Sequence, residues 1–305
     1  MPTSLSRLCL IFNPISGTNR NFDLQGLLNA VLGKDYGLHY EVRATQYAGH
    51  AEELAREAAA QGFGVVVAVG GDGTVNEVGR GLLGTGVAMA VLPRGSGNGL
   101  ARHLGIPLRP EAAVALLRRP RVLNIDVGRL NGRPFFCTAG LGFDAHVSRM
   151  FAEAGTRGLS TYVRVALREY QRYRPCPVEI ELADKQIQTD CYVLAFANAA
   201  QYGNNAYIAP LADIQDGLLD VCLINQLPLW RAVKVAYGLA AGNLPTSGAA
   251  AYHTAHTIHV RTERPLGFHL DGDFAGESAD FSVALEPLAL PVVVGEGFGN
   301  TIAVG

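Results

Sequence analysis

The sequence predicts an α/β domain followed by an antiparallel β-sandwich domain, and three observations predict it. Up to about residue 120, short apolar runs alternate with helical patterns, as repeated strand–helix units do. Beyond residue 126 the pattern changes to short alternating runs separated by Gly, Pro, Asp and Asn, the mark of antiparallel strands. Hydrophobic residues make up 49% of the 305 residues and charged residues 17%, enough apolar material for two cores. The boundary is placed at 126, giving domains 1–126 and 127–305, with a C-terminal tail able to pack back on the first.

The first domain reads strand by strand. Leu8 to Phe12 is a buried strand ending at Asn13-Pro14, and residues 21 to 32 follow as a helix. Leu38 to Arg43 is the second strand. Thr45 to Gln61 is a loop and an Ala-rich helix with Glu52, Glu53 and Glu57 on its wet side. Phe63 to Val69 is the third strand, and its β-branched continuity suits a parallel sheet covered on both faces. Thr74 to Leu83 is helical, Val87 to Leu92 is the fourth strand, and helices follow near 97–104 and 110–118. Together these specify a doubly wound α/β domain. In the second domain, strands are expected at 178–182, 190–197, 218–224, 258–261, 266–270 and 281–285. Helices are expected at 144–153, 157–173 and 228–240.

Composition excludes several classes. A formal net charge of −2 provides no global attraction to nucleic acid or to an anionic membrane. Five scattered cysteines without a C-x-x-C pair read as reduced thiols, not as a disulfide framework or a zinc site. The N-terminal apolar run is too short for a signal peptide, and none approaches the length of a spanning helix. A cytoplasmic protein is expected, one that touches a membrane only peripherally, at its inner face.

Ligands in open α/β sheets sit outside the carboxyl ends of the strands. Two glycine-rich loops belong to that edge: Gly70-Gly71-Asp72-Gly73-Thr74 after the third strand, and Pro93-Arg94-Gly95-Ser96-Gly97-Asn98 after the fourth. Each leads into a helix N-terminus, whose N–H groups attract anions, and glycine lets the backbone approach closely or take positive φ. The P-loop and G-x-G-x-x-G patterns are absent. One such loop is as well explained by a tight turn; two on one rim favour a phosphate site.

"VVAVGGDGTVNEV" followed by "LPRGSGNGLARHLGIP" resembles the catalytic-domain signature of the diacylglycerol kinase and sphingosine kinase superfamily, in particular the bacterial soluble lipid kinases. "IFNPISG" resembles that family's Asn-Pro nucleotide motif, and Thr45 with Gly49-His50-Ala51 its threonine after the second strand. "AGLGFDAHV" (139–147), "LADIQDGLLDV" (211–221) and "LDGD" (270–273) follow in the family's order. The likeness spans roughly residues 7 to 290.

The resemblance implies an NAD kinase-like first domain and a nucleotide in the cleft between it and the β-sandwich. It implies ATP lined by Asn13, Thr45, Gly70, Gly71, Asp72, Gly73, Thr74, Asn76, Gly95, Ser96, Gly97 and Asn98. It implies Mg²⁺ held by the Asp216 carboxylate and the carbonyls of Asp213 and Leu218, oxygen ligands that suit a hard ion. The rival for "IQDGLLD" is a plain hairpin turn. The family's general base is the Glu of a Leu-Asp-Gly-Glu motif. Asp273 stands there, one methylene shorter, and Asp271 is the alternative carboxylate. Asp72 would hold Mg²⁺ or sit near the acceptor. With three lysines in the chain, arginines such as Arg94 are the phosphate-contact candidates.

The activity so implied is an ATP-dependent lipid kinase acting on diacylglycerol, a sphingoid base or a similar lipid at a membrane surface, a role in phospholipid metabolism. The alternatives are an NAD kinase-like enzyme and a catalytically silent nucleotide- or lipid-binding regulator. A homodimer is left open. Other signals rank lower. His253, His256 and His259 would not share one strand face. Arg157, Arg164, Arg168, Arg172 and Arg174, with Tyr162, Tyr170 and Tyr173, make a basic aromatic helix that reads first as a solvated face and second as a lipid contact. Ser96 does not match a hydrolase elbow.

Overall fold

A computed structural model describes residues 7–17, 22–33, 37–153, 159–244 and 248–299. The expected helix start at residue 21 and Arg157 lie outside the described residues, as do residues 1–6. The chain divides into two compact units: Met1–Ile125 with Leu288–Gly305, and Asp126–Pro287.

The first unit is built on a parallel sheet. Strands β1 (Arg7–Phe12), β2 (His39–Ala44), β3 (Val65–Gly70) and β4 (Ala88–Pro93) lie in the order β2-β1-β3-β4. All six residues of β3 and all six of β4 are buried, which is why both read as unbroken apolar runs. Helix α1 (Leu24–Leu32) starts where Asp23 accepts an N–H bond from Gly26, and it buries Leu24, Leu28 and Leu32, four residues apart. Helix α2 (His50–Ala60) packs on α3 (Asp72–Leu82). The approach is so close that a Cβ at Gly81 would stand 2.5 Å from the Glu52 carbonyl and 2.7 Å from Ala55 Cβ. Glu52 bridges the pair through its ion pair to Arg80 of α3, and it also pairs with Arg56 on its own helix. Helix α4 (Gly99–His103) is a short turn, and α5 (Pro110–Ala115), opened by proline at its first position, packs on α1 and ends in a 3₁₀ turn at Leu116–Arg118.

The second unit is antiparallel. Its elements are β5 (Arg121–Leu130), which begins in the first unit, β6 (Arg133–Phe135), β7 (Thr138–Gly142), α6 (Phe143–Glu153), α7 (Leu159–Tyr170), β8 (Cys176–Glu181), β9 (Gln186–Cys191), β10 (Val193–Ala197), β11 (Leu219–Ile224), α8 (Leu229–Ala241), β12 (Ala251–Ala255), β13 (Thr257–Leu270) and β14 (Asp273–Val294). Strands β12-β11-β10-β7 run in that order, and β7 then pairs with the last residues of β13, Phe268 to Leu270. The earlier part of β13, His259 to Thr262, pairs instead with β8. Its register on β14 shifts between Arg261 and Leu266, a stretch that contains Pro265, which has no N–H to donate. The core between these strands holds Phe196, Leu141, Ile258, Val260, Phe281 and Val283, all fully buried. Each such side chain contributes about 1.5–3 kcal/mol.

Every expected strand and helix has a counterpart among the described residues. Several features differ from expectation. Glu52, expected on the wet side of its helix, is buried, where it pairs with Arg80 of α3. Residue 126 falls inside β5, not in a linker. Strands β7 and β9 have no clear apolar alternation, the first because of Gly140 and Gly142, the second because of its polar Gln186-Ile187-Gln188-Thr189-Asp190 run. Strand β14 runs for 22 residues from the second unit back to the first, where Val292 pairs in parallel with Met89 of β4.

Candidate active site

The loops of the first unit meet at the carboxyl ends of adjacent strands. Strands β3 and β4 pair in register to Gly70 opposite Pro93, and Arg94 N–H donates to the Gly70 carbonyl at 2.7 Å. Both oxygens of Asp72, in the first turn of α3, accept N–H bonds from the other loop: Asn98 at 2.9 Å and Gly99 at 2.7 Å. A charged acceptor on two backbone donors is a strong link. Asp72 therefore has a positioning duty, and an ionised carboxylate still keeps lone pairs for a cation. Asn98, at φ 50°, holds its own loop by accepting from Gly95 N–H at 2.8 Å and donating to the Gly95 carbonyl at 2.7 Å. Asn13 donates to Thr74 Oγ1 at 3.1 Å, and Thr45 N–H donates to the Phe12 carbonyl at 2.9 Å. Ser96 is exposed. The first-unit candidates thus share one strand edge.

The glycines serve there for a different reason than positive φ. None of Gly70, Gly71, Gly73, Gly95 and Gly97 has positive φ. Close approach is what requires Gly70 and Gly95: a Cβ at Gly95 would stand 2.8 Å from Gly71 Cα, and one at Gly70 would stand 2.5 Å from Thr74 Oγ1.

Two residues of the first unit gain roles that their types alone do not announce. Glu77 caps α2, accepting from Gly49 N–H at 2.8 Å and Ala51 N–H at 3.1 Å, and so fixes the segment that follows Thr45. Its place three residues after Thr74 in the glycine motif is the only hint. Arg94 lies with its guanidinium 5.2 Å from the Phe12 ring centre and 4.1 Å from that of Phe22. Burial holds its pKa below the usual arginine value.

In the second unit, Leu270 and Asp273 pair across a two-residue turn. Asp271 and Gly272 have φ of 49° and 89°, the positive values that a type I′ turn needs and that Asp-Gly favours. The Asp271 carboxylate points back to the segment joining β6 and β7. It accepts from Phe136 N–H at 3.0 Å, Cys137 N–H at 2.7 Å and Thr138 N–H at 3.1 Å. Asp273 is exposed at the start of β14. Of the two carboxylates, Asp271 is committed to backbone and Asp273 faces solvent.

The Asp213–Leu218 segment is no strand hairpin: it lies in the connection between Ala197 and Leu219. Gly217 takes φ 76°, and its N–H donates to the fully buried Asp126 at 2.8 Å. Asp216 accepts from Leu218 N–H at 2.9 Å, and Asp213 from Gln215 N–H at 3.0 Å. Partial desolvation, then the charges of Asp213 and Asp126, push the Asp216 carboxyl up. Desolvation and then Asp216 push Asp220 up to about 6. No lysine or arginine occurs from 208 to 224. Asp213 and Asp216 are exposed, and carboxylates together with backbone carbonyls form a donor set that fits a hard divalent cation. Among the described residues no three His, Cys, Asp or Glu side chains converge on one point. Any ion here would need the carbonyls too.

The histidines of "YHTAHTIHV" go separate ways: His253 lies 2.8 Å from Lys185 Nζ, and His256 Nδ1 lies 3.2 Å from the Gly217 carbonyl. On α7, Arg164 and Arg168 are exposed, as is Arg172 just beyond it, and Leu167 is 67% exposed. All five cysteines are buried free thiols.

Comparison with known proteins finds two family matches: "Diacylglycerol kinase catalytic domain" over residues 7–130, and "YegS C-terminal NAD kinase beta sandwich-like domain" over residues 137–294. A Chromohalobacter salexigens protein named "Probable lipid kinase YegS-like" is 34% identical, covering 87% of this chain and 86% of the relative. A diacylglycerol kinase of Bacillus subtilis is 29% identical, covering 89% and 91%. The fold is shared with a diacylglycerol kinase of Bacillus anthracis, TM-score 0.72 at 19% identity over 96% and 98% of the two chains. It is shared more distantly with an NAD kinase from Archaeoglobus fulgidus solved with ATP, TM-score 0.52 at 13% identity over 95% and 94%.

Proposed function

We propose that this chain moves the γ-phosphate of ATP to a hydroxyl of a lipid, from the premise that it belongs to the family of YegS-like lipid kinases and diacylglycerol kinases. The observation that carries the reading is the Asp72 link, which sets the α3 N-terminus beside a second glycine loop on one strand edge. Phosphoryl transfer asks a protein mainly for positioning and charge neutralisation. The N-terminal end of an α-helix carries partial positive charge, so the start of α3 suits phosphate oxygens. Arg94, stacked on Phe12 and Phe22, adds a fixed cation at the same loops.

The lipid hydroxyl is too weak an acid to ionise at neutral pH. Asp273, exposed on its turn, is suited to take the proton as the new bond forms. Mg²⁺ would sit on the Asp216 carboxylate and the carbonyls of Asp213 and Leu218, where it would neutralise the acidic loop and order it. The exposed Arg164, Arg168 and Arg172 around Leu167 suit contact with an anionic membrane surface, where the acceptor resides. Among the described residues no helix is long and apolar enough to cross a membrane.

The test is phosphate transfer from γ-labelled ATP with Mg²⁺ to a panel of diacylglycerol, sphingosine, monoacylglycerol and NAD, the lipids presented in vesicles with and without anionic lipid. Label in a lipid, more of it with anionic vesicles, supports the reading. Label only in NAD favours the NAD kinase alternative, and ATP binding with no acceptor labelled favours a silent regulator.

A further inference from the structure

His269 sits at the end of β13, directly before the turn that carries Asp271 and Asp273, and is 1% exposed. Both ring nitrogens are engaged. Gly272 N–H donates to Nδ1 at 3.3 Å, and Nε2 lies 3.1 Å from Asp144 Oδ2. A backbone amide can only donate, so Nδ1 carries the lone pair and Nε2 carries the proton that points at Asp144. Asp144 is 8% exposed at the start of α6, where its Oδ1 accepts from Ala145 N–H at 2.8 Å. Its Oδ2 also accepts from the Tyr202 hydroxyl at 3.1 Å. Room for the pair exists only because residue 140 is glycine: a Cβ there would stand 2.3 Å from Asp144 Oδ2 and 2.6 Å from His269 Nε2.

We propose that His269, fixed by Asp144 and Tyr202, is a positioning residue that holds the Gly272 amide and thereby the backbone of Asp273. The turn is then anchored on both sides. Asp271 grips the N–H groups of residues 136–138 on one side, and His269 grips Gly272 on the other. Fixing the Gly272 amide limits where the next residue places its carboxylate. A base one methylene shorter than glutamate depends more on that placement, because less side chain is left to reach the acceptor. The catalytic half of this inference rests on the lipid kinase reading; the anchoring of the turn does not.

The chain Tyr202–Asp144–His269–Gly272 is tested by three variants, each read by amide hydrogen exchange at Gly272 and by kcat and KM. His269→Leu removes the acceptor and keeps an apolar volume. It should speed Gly272 exchange and lower kcat for the lipid, each by about tenfold, with KM for ATP unchanged. His269→Asn places an amide oxygen near the Nδ1 position and should recover most of both losses. Tyr202→Phe removes one bond to Asp144 without loss of ring volume and should give a smaller change, about twofold to fivefold. If His269→Leu fails to fold, the Tyr202→Phe and His269→Asn measurements decide. The proposal is overturned if Gly272 exchange is as slow in His269→Leu or Tyr202→Phe as in the wild type. It is equally overturned if His269→Asn falls as far as His269→Leu. If the wild type phosphorylates no lipid, the kinase reading falls, and the exchange rates alone still decide whether His269 anchors the turn.

Discussion

Asp72 in the first unit and Asp271 in the second are both carboxylates spent on backbone N–H groups, yet they do so across very different distances along the chain. Asp72 reaches from one glycine loop to Asn98 and Gly99 at the end of the neighbouring strand. Asp271 reaches back more than 130 residues to Phe136, Cys137 and Thr138. The loops of the first unit form from adjacent parallel strands, so local spacing nearly fixes their geometry. The turn of the second unit depends on a segment brought beside it only by the antiparallel sheet. A charged acceptor on several amides is thus one way to hold a polar loop at a strand edge, whether its partners lie one strand away or across the unit.

The comparison breaks most visibly at Asp72. In Asp72→Asn one amide N–H would face the donors of Asn98 or Gly99. Turnover should fall by at least about 10²-fold while the overall fold persists. Steady-state kinetics beside circular dichroism checks this, and wild-type turnover in a folded variant would remove Asp72 from the machinery. Asp271→Ala should act first on stability. It leaves three backbone donors without their acceptor and should lower unfolding free energy by about 2–4 kcal/mol in a urea titration. A loss below about 1 kcal/mol would mean that the turn is held by something other than that carboxylate.

A smaller effect sharpens the contrast with the acidic loop, whose 208–224 stretch contains no lysine or arginine. The folded state holds the Asp220 pKa at about 6, above the ordinary carboxylate value, and pushes Asp216 in the same direction. Between the unfolded value and about 6 the folded state therefore binds more protons than the unfolded one. Without divalent cation, the contribution of these groups to stability falls as pH rises through that window. Mg²⁺ at neutral pH should restore it, raising the melting temperature by about 2–4 °C, and a chelator should undo the gain. A melting temperature indifferent to both would leave the loop without a metal.

The sheet of the first unit was legible because β3 and β4 are buried on both faces and so appear as plain apolar runs. Its candidate site was legible because Gly70 to Asn76 and Gly95 to Asn98 are contiguous words. The duty of Glu77, next to the first of those words, was still missed, since nothing local says that its partners are the amides at the start of α2. In the second unit the motif at 270–273 could be read, but its supports could not. Asp144, Tyr202 and His269 are far apart in the sequence, and β7, which leaves them room, is a glycine-bearing strand with no alternation to detect. The same limit applied to β14, whose second half contains Pro287 and Pro291 and in which no strand was expected beyond residue 285, although its end pairs with β4.

Asp273 is the point on which the enzymatic account turns, because it is the exposed carboxylate of the turn and stands one methylene short of the glutamate that the resembled motif carries. The decisive measurement is lipid phosphorylation by Asp273→Asn and Asp273→Glu, with ATP affinity titrated separately on the same proteins. The account predicts near-complete loss of phosphate transfer in Asp273→Asn, impaired transfer in Asp273→Glu, and unchanged ATP affinity in both. Full transfer by Asp273→Asn would contradict it.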